Sequence, residues 1–305
     1  MQYEKGEKKH MSNYVLSCCS TVDLSEEHLK SRDINYIYFH FYLDSVHYFD
    51  DFGKTISYDK FYEAMENGAD TSTSQINVDE YQEYFEKFLE QGKDILHVSI
   101  SGGLSGSCNS ANIAASELRS KYPERKIIIV DSLGASSGYG LIMDTLADLR
   151  DSGKTMEELQ NWIEEHKLEM HHWFFSTDLT FYVKGGRISK ASGWFGTMLK
   201  ICPLLNVDKE GHLVPRKKIR GKNNVIVEIA QMMKEHARNK TDYDGKCFIS
   251  HSKCIEDAKA VAKIIEESFP KLNGKVLINS IGTTIGSHSG PGTVAVFFWG
   301  DKRND

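Results

Sequence analysis

DILHVSISGGLSGSCNSANIAASELRSKYPERKIIIVD, residues 94–131, is the stretch that decides the fold. Its first seven residues have the apolar, β-branched texture of a strand and run into a loop built on Gly102, Gly103 and Gly106. The next segment places Ile113, Ala114, Leu118 and Tyr122 on one helical face, and KIIIVD, from Lys126, reads as a second strand. Upstream, YVLSC from Tyr14 and NYIYFHFYL from Asn35 read as further strands. A helix lies between them and residue 94, with Asn77 as N-cap, Tyr81, Tyr84, Phe85 and Phe88 on one face, and Gly92 at its end. Strands alternating with helices specify an α/β fold on a parallel sheet. In such sheets ligands collect beyond the carboxyl ends of the strands, which is where ISGGLSGS, residues 100–107, falls.

The chain has 305 residues, enough for two domains, and 40% of them are hydrophobic. A net charge of -6 gives no general basic field for nucleic acid or an anionic membrane. The six cysteines, at 18, 19, 108, 202, 247 and 254, include no C-x-x-C pair, so neither a disulfide framework nor a metal site is expected. That usage suits a reducing cytoplasm. The charged N-terminus has no apolar core of a signal peptide, and the longest apolar runs, such as VAVFFW at 294–299, are too short to span a bilayer. Beyond residue 166 the texture changes to short strands and turns, including VDKEGHLVP, a hairpin signal with Gly211 in its turn. The expected division is therefore an N-terminal domain at 11–165 and a C-terminal domain at 166–305.

Four loops are candidates for chemistry. The glycine loop lets backbone amides approach a ligand and offers an anion the N-terminus of the following helix. It matches neither G-x-G-x-x-G nor a P-loop. G-L-S-G-S from Gly103 lacks the last glycine of a nucleophile elbow, although Ser105, Asp131 and His288 stand in the chain order of an esterase triad. A serine-rich helix cap that binds nothing is the plain alternative. The second loop, ADTSTSQINVDEYQ at 69–82, carries Ser74 or Asn77 as a cap. In the third, Gly185 and Gly186 present Arg187, whose planar fork suits phosphate or carboxylate. There, too, Trp194, Phe195, Met198, Leu199 and Ile201 form an apolar stripe. The fourth, GSHSGPG from Gly286, reads as an irregular loop that holds His288 before a strand.

Taken in order, these segments resemble the DegV family of bacterial fatty-acid-binding proteins: TSQ at 73–75, SGGLSGS at 101–107, VDSLGASSGYG from Val130, KGGRIS from Lys184, KICPLLNVDKEGHL from Lys200, Arg220-Gly221, and GSHSGPG. The resemblance implies a two-domain α/β protein whose C-terminal domain carries a mixed or antiparallel sheet, with an apolar tunnel between the domains enclosing one long-chain fatty acid. It implies a non-catalytic carrier that presents the carboxylate to a separate kinase subunit for conversion to acyl phosphate in phospholipid synthesis. No cofactor is implied beyond the bound fatty acid, and a monomer with at most transient membrane contact is expected. By position, Thr73, Ser74, Ser101, Gly103, Ser105 and His288 would surround the carboxylate. Arg187 and Arg220 would face the head group or the kinase, and Trp194, Phe195, Met198, Leu199 and Ile201 would form tunnel wall.

Two positions depart from the family pattern. Cys19 stands where the N-terminal strand usually ends in aspartate, and Gly103 replaces the second serine of the loop. PRKKIRGKN, 215–223, sets five basic residues on an acidic chain, as a solvated hairpin or as a docking surface for the kinase.

Overall fold

The computed structural model describes residues 13–188 and 201–305. Its first sheet is parallel, with strands ordered β2 (Ile34–Ile37), β1 (Tyr14–Cys19), β6 (Asp94–Ser99) and β7 (Ile127–Asp131). β1 and β6 are buried along nearly their whole length, as strands covered on both faces must be. α3 (Val78–Leu89) and α4 (Ser107–Lys121) pack on each other, and α4 also packs on β7. α3 starts where the sequence places it: the Asn77 side chain accepts from Glu80 N, and the Glu80 carboxylate accepts from Asn77 N.

NYIYFHFYL is not one strand. β2 ends at Ile37, and the chain turns into β3 (His40–Leu43), which belongs to a separate antiparallel sheet ordered β4 (Val46–Phe49), β3, β5 (Thr71–Ser74). The break is fixed from outside the segment. Phe39 N donates to Ser20 Oγ, and Phe39 O accepts from Asp50 N, so Phe39 is taken out of the β2 ladder.

All six strands of the third sheet follow residue 169, in the order β10 (Leu213–Arg220), β9 (Ile201–Val207), β8 (Met170–Ser176), β13 (Thr293–Trp299), β11 (Phe248–His251), β12 (Leu277–Ser280). Only β11 and β12 pair in parallel, so this sheet is mixed. β9 and β10 form the expected hairpin, with Gly211 at φ +82° in its turn. The register shifts between Pro215 and Lys217 on this edge strand, where a proline and a bulge are tolerated.

α5 (Ser136–Asp151) joins the two halves, packing on β8, β11 and β13, and also on the turn at Ser20–Val22. It is buried nearly all round, as a helix between two layers must be. Its glycines make the fit possible: a Cβ on Gly138 would strike His172 and Phe297, and one on Gly140 would strike Val22 O and Leu24.

Candidate functional site

A cavity of about 270 Å³ opens where the three sheets meet. Its walls are mostly apolar, with Phe39 and Ile100 from the N-terminal half facing Phe174, Val207, Leu213 and Phe297 from the C-terminal half. Polar groups from four elements also line it: Thr73 on β5, Ser105 ahead of α4, Arg187 after α7 (Thr180–Lys184), and His288 on α10 (Thr283–Ser289). Thr73, Ser105, Arg187 and His288 are thus brought together from positions spread over more than 200 residues of chain.

His288 lies in a short helix, not in the irregular loop that its glycine and proline neighbours suggest. The reason is a cap from far away. The buried Asp50 carboxylate accepts from Thr283 N, Thr283 Oγ1 and Thr284 N at the start of α10. Nothing near residue 283 in the sequence announces it.

His288 Nε2 is 2.7 Å from Thr73 Oγ1, whereas Nδ1 is buried with no hydrogen-bond partner among the described residues. Burial, and secondarily the Arg187 charge, push the imidazole down to about 3, so it is neutral near pH 7. Gly185 allows this approach: a Cβ there would overlap Nδ1. Arg187 is half-buried. Its Nε and Nη2 donate to Leu104 O at 3.2 and 3.0 Å, and Nη1 donates to Gly185 O at 2.5 Å. Among the described residues no carboxylate pairs with it, and its three hydrogen bonds go to backbone carbonyls. Desolvation lowers its pKa, a sign that the charge is held at a cost an anion would offset.

The other expected residues lie elsewhere. Ser101 is fully buried; its Oγ donates to Gly211 O and accepts from Gly103 N, so it ties the glycine loop to the β9–β10 turn. Gly103 sits against that same turn, where a Cβ would come within 2.9 Å of the His212 ring and 3.1 Å of Glu210 O. A serine at 103 would press on this contact, which is a physical reason for glycine here. Ser74 is the neighbour of Thr73 on β5 and does not line the cavity. Arg220 is exposed at the end of β10, paired in register with Ile201, and neither lines the cavity. Trp194, Phe195, Met198 and Leu199 lie outside the described residues.

Sequence reasoning missed Gln75. It lies two residues beyond Thr73, lines the cavity, covers Gly106, and donates from Nε2 to Ser110 Oγ at 3.1 Å. Its place in the Thr-Ser-Gln segment was the available signal.

No hydrogen bond joins Ser105, Asp131 and His288. Asp131 accepts from Gly102 N and Leu133 N, shaping the loop, while His288 pairs with Thr73. Ser105 Oγ accepts from Ser107 N at 3.2 Å. The contacts a nucleophile needs with its base are absent among the described residues. The one group of three potential metal ligands among them, His171, His236 and Asp301, does not line the cavity. There both imidazoles approach the Asp301 carboxylate, at 2.9 and 3.2 Å, as hydrogen bonding alone requires.

Residues 19–301 match the protein family described as "Uncharacterised protein, DegV family". A DegV domain-containing protein of Clostridium perfringens is 36% identical over 293 residues, covering 96% of this chain and 99% of its own. A DegV family protein from Thermus thermophilus, described for its fatty acid binding, superimposes with a TM-score of 0.84 at 25% identity, over 94% of this chain and 99% of its own. The Streptococcus pneumoniae Fatty Acid Kinase B3 protein, loaded with linoleic acid, does so with a TM-score of 0.81 at 22% identity, over 95% of this chain and all of its own.

Proposed function

The chain belongs to the DegV family, and from that premise we propose that it binds one long-chain fatty acid in the cavity between its sheets and presents the carboxylate to a separate kinase subunit. The observation that carries this reading is an Arg187 guanidinium with no carboxylate partner, and a His288 Nδ1 with no hydrogen-bond partner, among the described residues, at a cavity whose walls are otherwise mostly apolar. An anion with a long apolar tail satisfies both halves of that description. The Ser105 hydroxyl, whose oxygen accepts from Ser107 N, keeps its proton for the carboxylate, and with the His288 proton on Nδ1 the Thr73 hydroxyl donates to Nε2 and fixes that tautomer. Tail burial supplies the affinity, at roughly 0.8 kcal/mol per methylene, or on the order of 10 kcal/mol for a sixteen-carbon chain before ordering costs.

In this reading the chain has no chemistry of its own. The kinase transfers a phosphoryl group from ATP to a carboxylate oxygen, and the neutral His288 and the Arg187 charge hold that carboxylate in place. The fatty acid kinase relative supports the partnership, and the exposed basic end of β10 around Arg220 supplies a docking surface. The carrier acts as a monomer in the cytoplasm, where its six free cysteines stay reduced.

Titration with labelled palmitate tests the proposal. One molecule bound per chain, weakened tenfold or more by Arg187→Ala, is expected. A chain that takes up neither palmitate nor oleate excludes it.

A further inference from the structure

Cys19 is the last residue of β1, and the structure shows what surrounds it. The thiol is fully buried and does not line the cavity. Its Sγ lies 3.3 Å from the Tyr81 hydroxyl on α3 and 3.7 Å from His97 Nε2 on β6. Behind it the chain of contacts continues from His97 Nδ1 to Ser17 Oγ and from Ser17 Oγ to the Tyr84 hydroxyl, each at 2.9 Å. Ahead of it, the Tyr81 hydroxyl lies 2.7 Å from Ser107 Oγ, on the first residue of α4. Ser107 N in turn donates to Ser105 Oγ at 3.2 Å, and Ser105 lines the cavity.

The N-cap of α4 is Gly106, which has no side chain to secure the helix start. That start is nonetheless where the anion-facing amides and Ser105 must be held. The only side-chain hydroxyl from another element that grips it among the described residues is that of Tyr81. The grip is made in a fully buried setting: burial raises the Tyr81 hydroxyl, pushes the Cys19 thiol up to about 11 and pushes His97 down to about 3. All three are neutral near pH 7, so the chain fixes geometry without adding charge.

We propose that Tyr81 is a positioning residue for the head-group end of the cavity, acting through Ser107 on Ser105 and the α4 N-terminus, with Cys19 as its buried anchor. The proposal rests on the fatty-acid reading and adds to it the device that orients the carboxylate site. In this chain a thiol does the anchoring, so Cys19 acts from behind the loop and does not touch the ligand.

Misplacing the α4 start weakens donors that act on a charge. An uncharged ester of the same tail depends on those donors far less. The test is to measure the affinities of palmitic acid and methyl palmitate for the wild type, Tyr81→Phe and Ser107→Ala. Tyr81→Phe keeps the ring and its packing, and Ser107→Ala breaks the same contact from the other side should the first variant fold poorly. Both are expected to lose about tenfold in acid affinity with ester affinity unchanged, so that the preference for acid contracts. Cys19→Ser, which keeps a hydrogen-bonding group, is expected to retain the wild-type preference. Equal losses for acid and ester would assign Tyr81 to packing and overturn the proposal, as would an unchanged preference in both variants. A wild type that binds neither compound would instead remove the fatty-acid reading itself.

Discussion

At the scale of single residues, the sequence made the polar set legible and left its chemistry hidden. Thr73, Ser105, Arg187 and His288 stand out because hydroxyl, guanidinium and imidazole groups framed by glycine suit an anion. That His288 is neutral, that Arg187 has no acidic partner among the described residues, and that Ser101 holds the loop while Ser105 faces the cavity all depend on neighbours far away in the chain. Burial of imidazoles has a measurable consequence. His97, His171, His172, His251 and His288 all titrate below the usual histidine range, chiefly through desolvation. Between about pH 6.5 and their folded values, the unfolded chain binds protons that the folded chain refuses, so stability present at neutral pH is lost as pH falls. Asp23 and Asp50, raised by burial, act in the opposite direction above the usual carboxylate range, where the folded chain holds protons that the unfolded chain has released. Five lowered imidazoles against two raised carboxyls leave a net loss on acidification, about 1.4 kcal/mol per pH unit for each unbalanced proton. The urea midpoint is expected to be lower at about pH 5.5 than at about pH 7.5; an equal or higher midpoint would contradict this balance.

At the scale of elements, local pattern succeeded where the cap or turn residue lies within the element. α3 has its capping box in the sequence, and the β9–β10 hairpin has Gly211. It failed where another part of the chain decides. The break between β2 and β3 is made by Ser20 and Asp50, and α10 is built on the Asp50 carboxylate from more than 200 residues away. Asp50 therefore joins the N-terminal half to the helix that carries His288. Asp50→Ala leaves Thr283 N, Thr283 Oγ1 and Thr284 N without their acceptor in a buried site, at a cost of about 2 kcal/mol or more. Calorimetry should show a lowered Tm, and palmitate uptake should fall with it because His288 loses its support. Asp50→Asn, which retains a carbonyl acceptor, should fall between the two. A variant Asp50→Ala with unchanged Tm and uptake would show that α10 does not depend on this cap.

At the scale of the whole molecule, alternation of strand and helix up to residue 131 was enough to read the parallel sheet, and the change of texture after residue 166 was enough to expect a different second half. The order of the six-stranded sheet was not readable, because its neighbours are set by long connections, β8 beside β13 above all. Nor was the cavity, which exists only because α5 lies between the layers and brings the loops of both halves face to face. The described residues contain no helix long and apolar enough to cross a membrane. A carrier of the kind proposed, purified without delipidation, should still hold its cargo. Mass spectrometry of a denaturing extract of the purified protein measures this directly. A single class of long-chain fatty acid, near one per chain and depleted in Arg187→Ala, is the predicted result; an extract free of fatty acid, from protein that also takes up none when it is offered, would contradict the account.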